Sequence, residues 1–313
     1  MSIEHFKPSF FFRNRHIQTM LTPLTRSVQK ISRSKDWLVQ NDGVTLHGKL
    51  WETPTHRHII VIFHGLGGHI ESAYITGLTH ELIKHNFSVL RMSLRGGNDD
   101  SAHTYHAGLT DDIRAVVQKL ISENYKVSLV GFSLSATMIL KWLEQKQSIE
   151  SAFLVSPAID LADCVRRLDQ RKNRMYQKYF LKKLKKLLDA KIYQHPMELT
   201  PYIHEKTYSS IYDFDTHFTA RRNGFPSADD YYRMASPHNL AAIENNICIV
   251  HSKDDPFIGS KELEQWQSQK KPNVQIHLTN YGGHVGFFKG LKDGYMIDTW
   301  ASQFFEQTLL SRR

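Results

Sequence analysis

The stretch Val127–Ser135, reading VSLVGFSLS, narrows the fold more than any other part of the chain. A β-rich run, Val127–Val130, meets the tight turn Gly131-Phe132-Ser133-Leu134-Ser135. Apolar residues at helical spacing follow: Met138, Ile139, Leu140, Trp142 and Leu143. Strand, small residue, Ser, small residue, helix describes a turn that strains the Ser backbone and lifts its hydroxyl above a sheet edge. The positions two before and two after the Ser must be small, because strand and helix nearly touch there. Gly131 meets that demand fully and Ser135 less fully. The next backbone N–H, that of Leu134, points to the same side as the hydroxyl.

Alone, these residues also fit an ordinary strand-to-helix turn with a surface Ser. Three further segments decide between the readings. His64-Gly65-Leu66-Gly67-Gly68 follows the run His58–Phe63. Asp254-Asp255-Pro256 follows Ile247–His251. Tyr281-Gly282-Gly283-His284-Val285-Gly286-Phe287 follows Val274–Thr279. Each lies where a strand gives way to a loop, and in an open α/β sheet that edge is where sites are built.

The rest of the chain supplies such a sheet. Asp36–Gln40 and Thr45–Glu52 flank Asn41-Asp42-Gly43, a hairpin signal. After the strand His58–Phe63 the pattern alternates: helix Ala73–His85, strand Ser88–Met92, helix Asp111–Glu123 with Thr110 as N-cap, strand Val127–Val130, strand Ala152–Val155. It resumes with strand Ile247–His251, helix Ser260–Gln267, strand Val274–Thr279 and helix Tyr295–Leu310. Alternating strands and helices predict an α/β fold, a mostly parallel central sheet flanked by helices. Residues 1–313 read as one domain with an N-terminal arm (about 1–35), in which Pro8 and Pro23 interrupt helix. The interval of about 158–246 is too long for a plain loop and predicts a helical cap insertion.

Within that interval Arg166–Lys191 is dense in Lys and Arg. Tyr176, Phe180, Leu184, Leu187 and Leu188 share one helical face; Lys178, Lys182, Lys185 and Lys186 share the other. A cap helix with a solvated basic face accounts for this pattern, and contact with anionic lipid headgroups is the functional alternative. The formal net charge of +9 favours anionic partners, yet no helix-turn-helix, RNA-recognition or zinc-finger pattern supports nucleic acid. No run approaches the ~20 apolar residues of a membrane span, and Phe10-Phe11-Phe12, bracketed by Lys7 and Arg13, is too short for a secretory leader. A cytoplasmic protein able to touch membranes peripherally is expected. Two cysteines, Cys164 and Cys248, and 18 scattered His give neither a disulfide framework nor a metal-ligand spacing, so no cofactor and no metal are expected. Cys248 reads as a small core residue.

A Ser hydroxyl needs a base to take its proton and a third group to orient that base. Ser133 is the candidate nucleophile and His284 the candidate base, with Gly282, Gly283 and Gly286 letting its loop reach over the sheet edge. The acid is Asp254 or Asp255, and counting from the strand end favours Asp255. Two N–H donors must face the developing negative charge. Leu134 supplies one and Leu66, after His-Gly, the other. His64 reads as a residue that holds this loop.

Taken together, these residues resemble the α/β-hydrolase superfamily, and more narrowly its YheT-like branch. The narrower likeness rests on RNRHIQTML, HGLGG, SKDDPF and YGGHVGF, with LRGGNDD similar to the branch's Arg-Gly segment. The resemblance implies that Ser133, Asp255 and His284 form a catalytic triad acting on carboxylic esters, on short- to medium-chain acyl or lipid-like groups. It also implies a choice between water and alcohol as acceptor, and so between esterase and acyltransferase. The branch's elbow carries glycines where this chain has Ser135 and Ala136; by this reading Ser135→Gly relieves a crowded contact, unless Ser135 makes a helix-start hydrogen bond, in which case glycine loses stability through backbone entropy. A non-catalytic scaffold that binds a ligand or partner is the competing class, against which the presence of Ser, acid and His all count.

Overall fold

The computed structural model describes residues 3, 5–54, 57–97, 101–203 and 208–310. An eight-stranded sheet runs in the order β1-β2-β4-β3-β5-β6-β7-β8. Its strands are β1 (Lys35–Asn41), β2 (Val44–Trp51), β3 (His58–Phe63), β4 (Ser88–Met92), β5 (Lys126–Phe132), β6 (Ser151–Val155), β7 (Asn246–Ser252) and β8 (Val274–Thr279). β1 and β2 form an antiparallel hairpin, β2 pairs antiparallel with β4, and every later pairing is parallel. The hairpin turns on Asp42 (φ 49°) and Gly43 (φ 72°), the two consecutive positive φ values that match the right-handed twist of a two-residue loop.

Parallel strands need covered crossovers, and this chain covers both faces. Along β3, Ile59, Val61 and Phe63 enter one apolar layer with Val116 and Leu120 of α3 (Asp111–Ser122). Ile60 and Ile62 enter the other, with Leu78 and Leu82 of α2 (Ala73–Lys84) and with Phe304 of the last helix. Cys248 is fully buried in that second layer.

Several local expectations are corrected. Helix α1 (Arg15–Thr25) runs through position 23. Only two residues follow there, so the proline's missing N–H is confined to the last turn. Thr110 makes no side-chain cap, because its backbone is already helical (φ −88°, ψ −17°). The stretch Arg166–Lys191 is not one helix. It divides into α5 (Leu161–Leu168) and α6 (Arg174–Gln194), joined through a short turn at Arg171–Asn173.

Between β6 and β7 the chain continues from α6 through α7 (Pro196–Leu199), α8 (Ile211–Phe214), α9 (Ala220–Arg222) and α10 (Ala228–Ala235). The tail of the fold is α11 (Lys261–Ser268), a small ladder of β9 (Phe288–Gly290) with β10 (Gly294–Tyr295), and α12 (Met296–Phe305). Among the described residues no helix is long and apolar enough to cross a membrane. In the Arg-Gly segment, Arg95 is buried and grips Asp112 at the start of α3, with Nε 3.0 Å from Oδ2 and a terminal guanidinium nitrogen 2.5 Å from Oδ1. Asn98, Asp99 and Asp100 lie outside the described residues.

Candidate active site

Strand β5 ends at Phe132, and helix α4 (Leu134–Leu143) begins immediately after Ser133. Ser133 carries φ 53° and ψ −115°, a conformation that a non-glycine residue adopts only when its surroundings impose it. The turn can be this tight because Gly131 has no side chain. A Cβ there would lie 2.7 Å from the backbone N and Cα of Ala136.

Ser135 is not a mere stand-in for glycine. It is fully buried, and its Oγ accepts the Phe132 N–H at 2.8 Å. The same hydroxyl donates towards the Phe63 carbonyl at 2.8 Å, with the Phe132 carbonyl at 3.1 Å. It therefore ties the elbow to the end of β3, where HGLGG begins.

Ser133, His284 and Asp255 come together in one line. Ser133 Oγ lies 2.9 Å from His284 Nε2, and His284 Nδ1 lies 2.8 Å from Asp255 Oδ2. The Asp255 side chain has no exposed surface. Its other oxygen accepts the N–H groups of Phe257 at 3.1 Å and Ile258 at 2.9 Å. An ionised Asp255 can only accept, so Nδ1 carries the ring proton and Nε2 presents a lone pair to the Ser133 hydroxyl. Asp254 has a different task. Its Oδ1 accepts the Gly283 N–H at 2.8 Å and lies 2.8 Å from Ser252 Oγ. Burial holds the Asp254 carboxyl above its ordinary range, with these hydrogen bonds opposing.

The loop after β3 is held from several sides. His64 is buried; Nδ1 donates to the Gly65 carbonyl at 2.9 Å, and Nε2 accepts the Leu94 N–H at 3.2 Å. Burial pushes its pKa down to about 4, which keeps it neutral in this structural role. The Gly65 N–H goes to the Tyr74 hydroxyl at 2.9 Å, and the Gly67 N–H to the Tyr105 hydroxyl at 2.8 Å. Between them the Leu66 amide has no acceptor among the described residues. The Leu134 amide opens α4, where the first N–H groups lack partners within the helix. Tyr74 and Tyr105 carry no sequence signal for this role, since one sits inside a helix pattern and the other in a loop.

Leu66, Ser133 and Leu134 line one cavity, whose other walls come from the helices between β6 and β7 together with Tyr105, His106, Thr137, Phe257 and Ile258. Leu161, Val165, Phe180, Leu184, Phe218 and Tyr231 make its surface apolar. One carboxylate also reaches it: buried Asp215, whose oxygens accept the Thr219 hydroxyl at 2.6 Å and the Tyr232 hydroxyl at 2.8 Å. Burial raises its pKa to about 6. The apolar face of α6 turns inward, with Tyr176 and Leu188 buried. Lys178, Lys182, Lys185 and Lys186 are exposed on the outside. Lys183 departs from that face, since its aliphatic stem packs 3.0 Å from where a Gly67 Cβ would be, and Lys191 is buried.

Residues 58–291 match the family described as alpha/beta hydrolase fold. Over 302 residues the chain is 32% identical to the YheT protein of Escherichia coli, covering 92% of this chain and 88% of that protein. It is 28% identical to a monoacylglycerol lipase of Saccharomyces cerevisiae over 74% of this chain, and it spans only 55% of that protein's length. Among solved structures, the Pyrococcus furiosus esterase Pf2001 superposes with a TM-score of 0.61 at 17% identity, covering 91% of this chain and 96% of that one. The strand order, the strained Ser at the end of β5 and the match across most of the sequence agree: the chain belongs to the α/β-hydrolase family, in its YheT-like branch.

Proposed function

We propose that this α/β-hydrolase cleaves carboxylic esters through an acyl-enzyme formed on Ser133. The observation that carries the reading is the unbroken line Ser133–His284–Asp255, with contacts of 2.9 and 2.8 Å. His284 Nε2 takes the hydroxyl proton as Ser133 Oγ bonds to the ester carbonyl carbon. The carbonyl oxygen becomes an oxyanion facing the Leu66 and Leu134 amides, and such donors cost no reorganisation at the moment of reaction. His284 then gives its proton to the departing alkoxide, which leaves as the alcohol. Water attacks the acyl-enzyme with His284 again as base, and the acid leaves as Ser133 regains its proton. Asp255 stays ionised throughout and stabilises the imidazolium.

In this reading residues of about 158–246 act as a cap over the site, and the apolar cavity takes the acyl chain. Short- to medium-chain or lipid-like acyl groups fit its lining, in keeping with the lipase name of the yeast relative. An alcohol in place of water would give a new ester with the same residues. A fluorophosphonate probe should label Ser133, and Ser133→Ala should abolish both labelling and turnover across esters of increasing acyl length. Labelling or turnover that survives the substitution refutes the assignment.

A further inference from the structure

The segment RNRHIQTM has no part in the chemistry above, yet it touches the loop that carries His284. Asn14 starts α1 by accepting the His16 N–H at 2.8 Å and the Ile17 N–H at 3.3 Å. Three residues on one face of that helix then meet the loop. Gln18 is fully buried. Its Nε2 donates to the Phe12 and Phe288 carbonyls at 2.6 and 2.8 Å, and its Oε1 accepts the Phe288 N–H at 2.9 Å. Thr19 Oγ1 donates its one proton to the Arg15 carbonyl at 2.8 Å, which leaves a lone pair for the backbone N–H of His284 at 2.9 Å.

The loop is in a conformation it would not choose alone. Val285 sits at φ 65° and Phe287 at φ 43°. Positive φ is a steric outlier for a β-branched residue such as valine. Strain of this kind persists only where neighbours over-determine it. The neighbour here is α1, and the fit admits no side chain. A Cβ on Gly283 would lie 2.6 Å from both the Arg15 carbonyl oxygen and Thr19 Oγ1, and one on Gly286 would lie 2.3 Å from the Gln18 carbonyl oxygen.

We propose that α1 is a brace for the base, with Thr19 and Gln18 as positioning residues that fix where the His284 imidazole sits between Ser133 and Asp255. The inference rests on the proposed role of His284. Thr19 holds the backbone of the very residue whose ring bridges nucleophile and acid, and Gln18 fixes the strand that follows it. On the same helix, His16 Nδ1 lies 2.8 Å from the Tyr176 hydroxyl and the two rings stack. The brace is thereby anchored on α6 as well as on the loop.

The test compares Thr19→Val, which keeps the shape and removes the acceptor, with Thr19→Ser, which keeps the acceptor. On a small soluble ester, Thr19→Val should lower kcat by about 10- to 100-fold, the scale of a misplaced catalytic group. KM should stay near wild type, and fluorophosphonate labelling should slow in step with kcat. Thr19→Ser should recover most of the loss. Wild-type kcat in a folded Thr19→Val overturns the brace, and so does a Thr19→Ser variant as slow as Thr19→Val. If Thr19→Val does not fold, amide exchange in the wild-type enzyme still decides: the His284 N–H should be strongly protected, and exchange at the rate of a free loop amide overturns the contact. His284→Ala runs beside these. Undiminished turnover in that variant would remove the proposed function itself, whereas an inactive His284→Ala beside a fully active Thr19→Val would remove only the brace.

Discussion

Ser135→Gly should destabilise the protein, although the branch's elbow carries glycine at this place. Ser135 Oγ is the acceptor for the Phe132 N–H at 2.8 Å and donates to the Phe63 carbonyl at 2.8 Å, and the residue is fully buried. Deleting the hydroxyl leaves a buried N–H without this acceptor, and leaving a buried polar group unpaired costs about 1–3 kcal/mol. The lost bond to Phe63 adds about 1 kcal/mol on the same scale. Ser135 is also the second residue of α4, where glycine costs roughly 0.5–1 kcal/mol more than alanine through backbone entropy. The total is about 2–4 kcal/mol for Ser135→Ala, and somewhat more for Ser135→Gly.

Against a typical stability of about 5–15 kcal/mol that loss is large. Urea titration would read it as a lower midpoint at unchanged slope. Turnover should fall as well, because Phe63 leads directly into His64-Gly65-Leu66, and the lost bond is one that holds that loop against the elbow. The decisive comparison is the order wild type, Ser135→Ala, Ser135→Gly. A Ser135→Gly midpoint at or above wild type would refute the reasoning and restore the view that its Cβ merely crowds the turn.

Asp255→Asn should lower turnover by at least about 1000-fold while the protein stays folded, because the imidazole loses its orienting charge. Asp254→Asn keeps an oxygen acceptor for the Gly283 N–H and should cost less than about tenfold; steady-state kinetics in which Asp254→Asn is the worse variant would reverse the two roles. Liposome sedimentation at low salt tests the outer face of α6. If that face meets anionic lipid, where each cation contributes on the order of 1 kcal/mol, Lys178→Glu, Lys182→Glu and Lys186→Glu combined should abolish binding and spare a small soluble ester. Equal sedimentation of variant and wild type would dismiss that face as a membrane contact. Lys183 is left out because its stem packs on Gly67, and Lys185 because it already pairs with Asp189 at 2.8 Å.

The sheet was legible because buried strands are short apolar runs bounded by turn residues, and that signal depends on neighbours in sequence. Each expected strand lies within a residue or two of an observed one. The meeting of Ser133, His284 and Asp255 was legible for the same reason, since all three follow strand ends and strand ends share an edge. What failed depended on partners distant in the chain. The hydroxyl of Ser135 looked like an imperfect glycine because its partner Phe63 is 72 positions away. The basic stretch Arg166–Lys191 reads as one helix because its apolar and basic residues fall on two opposite faces. In the structure it breaks at Asn173, which is fully buried and donates to the Pro256 carbonyl at 2.7 Å and the Arg167 carbonyl at 2.9 Å. Tyr74 and Tyr105 look like core aromatics until their hydroxyls are seen on the Gly65 and Gly67 amides.

The glycines around His284 meet a second constraint that the motif alone does not show. Read alone, Gly-Gly-His-x-Gly suggests a loop made supple enough to reach over the sheet edge. In the structure Gly282 and Gly283 do use conformations that favour glycine, at φ 147° and 56°. The tighter constraint, however, is space. The three nearest atoms to a Cβ on Gly283 belong to Arg15, Thr19 and Gln18, and the two nearest to one on Gly286 belong to Gln18. Suppleness alone would leave the imidazole free to wander, which is the opposite of what the proposed role of His284 as base requires. Removing two side chains lets a helix approach until its hydroxyl and carboxamide can fasten the loop at His284 and Phe288. The segments RNRHIQTM and YGGHVGF, whose residues Thr19 and His284 stand 265 positions apart, are therefore two halves of one fit. Neither the glycines nor the arm explains its own sequence without the other.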